Sequence, residues 1–350
     1  PKGPTGIEYS SIMVASHEIA LMVAAYQHGI RGYDVEKAFK AMVHCQTTPG
    51  REHPAGGHVG NKDLEPYLKH GYVPIGNGYA SNTLEYAYDD WCVAQMARAL
   101  GRDREYEQFA RRGESWRNLF DRETGFMRAR HPDGRWQEEF DPYSRAGGWV
   151  EGNPWQYSWF VPQNVPGLVE LMGRERFVER LNEGLEKSSV HDFNAPGDRM
   201  STVPINHGNQ PSMQVAYLVN HAGAPWLTQK WTRAIMDRYY GDDPLDGWPG
   251  DEDQGQGGAW FVMSALGLFQ TDGGCRVDPI YEIGSPLFER AVIRLDPEYY
   301  QGEQFVVETR NNSPRNVYVQ SATLNGKPLN KPWFYAKEAL NGGRLVLDMG

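Results

Sequence analysis

The segment Thr83-Leu84-Glu85-Tyr86-Ala87-Tyr88-Asp89-Asp90-Trp91, continued to Leu100, places Leu84, Tyr88, Trp91 and Gln95 at helical spacing and leaves Asp89 and Asp90 off that stripe. Apolar positions recurring every three to four residues mark one face of an α-helix, and Gly101 stops the pattern. An amphipathic helix is expected. Similar patterns occupy about residues 11–28, 35–44, 104–119, 155–171, 176–187, 212–221, 225–240 and 258–268. Most are separated by loops rich in Gly, Pro and Asn, the texture of stacked helical hairpins rather than of alternating strands and helices.

The period changes after about Asp278. Residues 291–295, 304–309, 316–320 and 344–348 are short, rich in β-branched side chains and bounded by turn residues, Asn325-Gly326 among them. They read as an antiparallel tail. A few strands alone leave open edges, so this tail is expected to pair with a sheet formed elsewhere. The expected division is a helical region over 1–277 and a strand tail over 278–350.

Composition bounds the function. At 350 residues the chain is long enough to bury a large core as one domain or two. A formal charge of −10 and a pI near 5.5 argue against nucleic acid and anionic membranes, which reward an excess of Lys and Arg. Eleven Trp and nineteen Tyr suit stacking on sugar faces, and equally suit a helical core built on large side chains. Cys45, Cys92 and Cys275 have no metal-type spacing and read as free thiols, buried in the case of Cys92. No run approaches the roughly 18 apolar residues of a membrane span, and Pro1-Lys2-Gly3-Pro4 carries no signal peptide.

Three polar segments carry the chemistry. Gly250-Asp251-Glu252-Asp253-Gln254-Gly255-Gln256 clusters three carboxylates before an apolar helix, and Glu151-Gly152-Asn153-Pro154-Trp155 and His207-Gly208-Asn209-Gln210-Pro211-Ser212 lie upstream. Glycoside hydrolysis needs one carboxylic acid to protonate the departing oxygen and one carboxylate to activate water or attack. Aromatic neighbours of Glu151 would desolvate it and raise its pKa, as a general acid requires. Asp251 and Asp253, one residue apart, repel each other and separate in pKa, leaving one a competent base. Each segment also has a plainer reading. Glu151 is a helix cap or dipole partner, Asp-Glu-Asp a cap or calcium loop, His207 a satisfied core histidine and Asn209 a turn former.

The ordered set Thr83 to Trp91, Glu151-Gly152-Asn153 with Trp155-Gln156-Tyr157-Ser158-Trp159, His207-Gly208-Asn209, Gly250-x-x-Asp253-x-Gly255-Gln256 and Gly284-Ser285-Pro286-Leu287-Phe288 resembles glycoside hydrolase family 92 over most of the chain. The resemblance implies a mainly α fold: an (α/α)6 barrel, whose first helices precede this segment, followed by strands that pair with an N-terminal β-sandwich portion of the same enzyme. It implies a calcium-dependent, exo-acting, inverting α-mannosidase acting on high-mannose N-glycan or yeast mannan, in a secreted or periplasmic bacterial setting. By the motifs, Glu151 would be the general acid and Asp251 or Asp253 the base. Asn153, Trp155, His207, Asn209, Gln210 and Glu252 would line the sugar, with Asn209 and Gln210 also as calcium ligands.

One departure bears on the reaction. The family pattern is His-Gly-Asn-Glu-Pro-Ser, and here the Glu is Gln210. An amide oxygen still coordinates calcium but brings no charge. If the position serves the leaving group instead, its loss favours a leaving group that needs no protonation, such as the phosphate of mannose-α-1-phospho-6-mannose. The remaining alternatives are a catalytically silent mannan-binding relative and another (α/α)6 enzyme such as an inverting glucosidase.

Overall fold

The computed structural model describes residues 15–53, 58–195, 203–245, 247–249 and 255–350. These are mainly helical with a few small sheets, and they group into two compact units: residues 1–163 with 275–277, and residues 164–274 with 278–350.

The first unit is organised by the helix Asn82–Ala99. It is not the amphipathic surface helix its periodicity suggests. All residues from Asn82 to Asp90 are buried, and Asp89 and Asp90, off the apolar stripe, are wholly inaccessible, whereas Trp91 and Gln95 on that stripe are only half-buried. The reason is pairing. A buried charge is tolerated when a partner and hydrogen bonds replace its water. Arg112, at the end of the helix Asp103–Arg112, binds Asp90 through both Nε (2.9 Å) and Nη2, and the Tyr67 hydroxyl donates to the same carboxylate at 2.8 Å. Burial pushes Asp90 up to about 7 against the pull of Arg112 and Tyr67. Asp89 accepts from the Ser16 amide at 2.9 Å and from His17 Nδ1 at 2.9 Å, which ties the start of the helix Glu18–Gln27 to the central one. Ala15, Leu64, Tyr67, Val73 and Tyr86 form an apolar cluster beside this network. Cys92 and Cys275 are buried free thiols as expected, and Cys45 is half-buried.

Three helices start at an Asn cap with a Pro in the first or second position. Asn153 precedes the short helix Pro154–Tyr157 and its Oδ1 accepts from the Gln156 amide, while Asn164 does the same for the Gly167 amide of Val165–Met172. The single helix expected over 155–171 is therefore two short helices separated by a turn at Pro162–Asn164, because each proline lacks the N–H that would continue the first helix. In the second unit Asn209 begins the helix Gln210–Met213, followed by a 3-10 turn over Val215–Asn220 and the helix Pro225–Arg238.

Five strands of the second unit form a sheet in the order Lys327–Pro328, Val319–Leu324, Gly343–Met349, Gln304–Arg310, Arg290–Arg294, and Trp333–Tyr335, Ile280–Ile283 and Leu268–Phe269 form a smaller three-stranded one. The tail is not wholly antiparallel: Gly343–Met349 runs parallel to Gln304–Arg310, with Leu345 opposite Val307. Parallel neighbours need a crossover of a dozen or more residues. The intervening chain supplies it with a hairpin and the helix Ala336–Leu340. The hairpin turns at Asn325-Gly326, both with positive φ (51° and 76°), as the sequence suggests. The strand expected at 316–320 begins later, at Val319, since Asn316 closes a turn onto Ser313. Phe305, Val307, Phe334, Leu345 and Leu347 fill the core of this sheet. Arg233, from the helix Pro225–Arg238, donates from Nε to the Ser285 carbonyl at 3.0 Å and thereby anchors the Gly284 to Phe288 motif, which is structural in this respect.

Replacing Arg112 with Ala strands the Asp90 carboxyl in the interior, and a stability loss of about 3–5 kcal/mol is expected in denaturant unfolding. Arg102→Ala, which removes an exposed pair with Glu36, is the control and costs at most about 1 kcal/mol.

Candidate active site

Glu151 lies in the turn between Trp149 and the Asn153-capped helix and has a left-handed backbone, φ +52°. Its neighbours face inward. Asn153 is fully buried and spends its side-chain oxygen on the cap, and Trp155 is packed edge-on against Phe126 at 5.1 Å. The cap that sequence reasoning assigned to Glu151 as its plainer role is thus filled by Asn153.

The same unit holds a group of charges that the motifs did not single out. His17 bridges two carboxylates of the buried helix, Nδ1 to Asp89 at 2.9 Å and Nε2 to Glu85 at 2.8 Å. Carboxylates on both ring nitrogens call for the doubly protonated ring. Enclosure of the ring works against its charge, but Asp89 and then Glu85 outweigh it and hold the His17 pKa well above 6.5. The side chain retains 43% of its exposure, so solvent screens the pair and its effect is read as a pH slope rather than as a large energy. Tyr157 lies near both Glu85 and Glu151: burial first, and then their negative charges, keep its phenol well above 10 and therefore a donor.

In the second unit the loop His207-Gly208-Asn209-Gln210 is set against aromatics. His207 is 1% exposed and lies 4.3 Å from the Trp260 ring, 4.9 Å from Tyr239 and 5.7 Å from Tyr240. Burial lowers its pKa to about 3, so the ring is neutral. The Tyr240 hydroxyl donates to the Gly257 carbonyl at 3.1 Å and lies 3.0 Å from His207 Nε2, which fixes the His207 proton on that nitrogen. Tyr239 donates to the Pro249 carbonyl. A Cβ at Gly208 would run into the Tyr239 hydroxyl, so a side chain there would require Tyr239 to shift. The two tyrosines thereby bind residues on either side of the acidic run. Asp251, Glu252 and Asp253 themselves lie outside the described residues, and so does their spacing to Glu151. His207 has the character of a satisfied core histidine here, and the adjacent Tyr239-Tyr240 pair had no motif to mark it.

Asn209 is buried and its Oδ1 accepts from the Gln210 amide at 3.0 Å; Gln210 is half-buried in the first turn of its helix. Among the described residues no three His, Cys, Asp or Glu side chains are grouped to hold a metal. Calcium prefers oxygen ligands, amide oxygens included. The Asn209 and Gln210 amides are compatible in donor type, without supplying charge. Among the described residues no helix is long and apolar enough to cross a membrane.

The chain matches the glycosyl hydrolase family 92 catalytic domain over residues 1–350 and belongs to that family. It is similar in structure to a family GH92 inverting mannosidase of Bacteroides thetaiotaomicron, with 34% identity and a TM-score of 0.83 over 98% of this chain and 47% of that one. A family GH92 alpha-mannosidase of the same organism, solved in complex with mannoimidazole, is 32% identical with a TM-score of 0.83 over 97% of this chain and 44% of that one. An uncharacterized secreted glycosidase of Arthroderma benhamiae is 30% identical over 91% of this chain and 42% of its own length. The chain thus spans somewhat less than half the length of these relatives.

The two histidines give opposite pH dependences. His17, with a raised folded pKa, stabilises fully below pH 6.5 and loses that contribution as pH rises through the folded value. His207, lowered to about 3, is neutral in the fold while the unfolded chain takes up a proton, so its contribution is lost as pH falls from 6.5 toward 3. Melting temperatures measured from pH 4 to 9 are expected to show the His17→Asn deficit shrinking above about pH 6.5, and the acid-side slope flattening in His207→Gln.

Proposed function

We propose that this chain carries catalytic groups of an exo-acting, inverting α-mannosidase that removes terminal α-linked mannose from glycans such as high-mannose N-glycan or yeast mannan. The observation that carries the reading is Glu151, a carboxylic acid held in a left-handed turn whose capping duty Asn153 performs, in a chain similar to a solved inverting mannosidase. Glu151 protonates the departing glycosidic oxygen. Asp251 or Asp253 takes a proton from the attacking water on the opposite face, a mechanism that requires carboxyls roughly 6.5–9.5 Å apart. Asn153, Trp155, Glu252 and the His207 to Gln210 loop line the sugar in this reading. The Asn209 and Gln210 oxygens would hold calcium in part, and the ion would supply Lewis acidity toward sugar hydroxyls.

In this reading the helices belong to an (α/α)6 barrel over residues 1–277, the strands of 278–350 pair with an N-terminal β-sandwich portion of the same enzyme, and the protein works in a secreted or periplasmic setting. Gln210 supports a second reading. An uncharged side chain in that loop suits a leaving group that departs unprotonated, and mannose-α-1-phospho-6-mannose is then the substrate.

The test uses the chain joined to its N-terminal portion and assays α-mannobioses, dinitrophenyl α-mannoside and mannose-α-1-phospho-6-mannose, with calcium and with chelator. Glu151→Gln is expected to lower kcat on mannobioses about 10²–10⁴-fold and to spare dinitrophenyl mannoside, which needs no acid. Asp253→Asn or Asp251→Asn lowers both. Cleavage of the phosphodiester alone would replace the mannosidase reading with uncapping, and the β-anomer as first product, seen by NMR, checks inversion.

A further inference from the structure

The left-handed backbone of Glu151 has to be held in place. For a non-glycine residue this conformation costs on the order of 1 kcal/mol, and it persists only where the surroundings over-determine it. Among the described residues positive φ is otherwise found, glycine aside, at Asp192, Phe193, Asn311 and Asn325. The asparagines tolerate it through short polar side chains; a glutamate has no such excuse.

What imposes it is visible at the preceding peptide. The Val150 amide donates to Ser81 Oγ at 3.2 Å, and the Val150 carbonyl accepts from the Tyr157 hydroxyl at 2.8 Å. Both polar groups of one loop residue are thus taken by side chains. Ser81 is wholly buried at the start of the helix Asn82–Ala99, and its own amide donates to the Gly148 carbonyl at 3.1 Å, so it grips the loop twice. On the other side of Glu151, a Cβ at Gly152 would meet Gln156 Oε1 at 2.8 Å and the Tyr157 ring at 3.0 Å. The turn is closed against Tyr157 from both directions. The phenol stays protonated because burial and the nearby Glu85 and Glu151 charges oppose its ionisation.

We propose that Tyr157 and Ser81 are positioning residues for Glu151: by seizing both ends of the Val150 residue they force the left-handed turn and set the acid at its working place. This rests on Glu151 being the general acid. Neither residue needs to touch the sugar, and each acts through the backbone.

Two readouts test it in the joined protein. Tyr157→Phe removes one oxygen and keeps the ring; with Ser81→Ala as the second variant, kcat on mannobiose is expected to fall at least about 10-fold with KM within about 2-fold, and the rate on dinitrophenyl mannoside to stay near that of the unmodified enzyme. A merely structural role would lower both substrates together. Independently, Glu151→Gly is expected to melt higher than Glu151→Ala, since both lose the carboxyl and only the alanine keeps the strained left-handed turn. If Glu151→Gln separates the two substrates while Tyr157→Phe and Ser81→Ala do not, the positioning role is overturned and the acid assignment stands. If Glu151→Gln fails to separate them, the acid assignment itself fails and the proposal falls with it. A Glu151→Gly variant that melts no higher than Glu151→Ala would show that the turn is not strained and overturn the proposal on stability alone.

Discussion

The helix Asn82–Ala99 lies in the interior of its unit while carrying Glu85, Asp89 and Asp90 there, and much else in that unit answers to this constraint. A carboxylate taken out of water costs several kcal/mol unless a partner and hydrogen bonds replace the solvent. The partners come from elements far apart in sequence. Arg112 closes one neighbouring helix, Tyr67 belongs to Leu64–His70, and Ser16 and His17 open another. Each partner must arrive at one place and in one orientation, so the pairings act as a register for the helices around the central one. The same helix begins at Ser81, which holds the loop carrying Glu151. Buried charge and the candidate acid are therefore linked through one rigid element.

The second unit meets a similar need with neutral groups. His207 loses its charge among Tyr239, Tyr240 and Trp260, and its ring nitrogen is satisfied by a hydroxyl. A neutral ring bonded to a phenol costs far less to bury than an ion and needs no counter-charge. The tyrosines then bind carbonyls at Pro249 and Gly257. Rings packed this closely have few alternative positions, and the His207 loop and both flanks of the acidic run share one aromatic support.

Elements with local causes were legible in the sequence. The helices read at 35–44 and 225–240 are Val35–Cys45 and Pro225–Arg238, and the strand read at 304–309 is Gln304–Arg310, because periodicity and turn residues act within a few positions. What escaped was decided across distance. No periodicity could announce that Asp90 would be buried, since its ion-pair partner lies 22 residues on, nor that Asp89 would meet His17, 72 residues back. The parallel strand pair was hidden for the same reason, its two members being separated by a hairpin and a helix. Asn153 is a different case. An Asn before a Pro is a helix start readable from the sequence, and Asn153 caps Pro154–Tyr157.

That cap bears on what Glu151 is for. A glutamate just before a helix ordinarily serves the helix, accepting from its free amides or offsetting its dipole. Here the Gln156 amide is met by Asn153, and the helix is only four residues long, with little dipole to offset. Capping therefore gives no reason for a glutamate at this position, and local stability gives a reason against one, since glycine or asparagine would sit in the left-handed turn at lower cost. A conformation that costs energy, at a position whose capping is performed by its neighbour, supports the proposal that the carboxyl is placed there for chemistry. Departure of a sugar needs a proton donor held in one orientation, and on that proposal the turn gripped at both ends of the preceding residue would supply it.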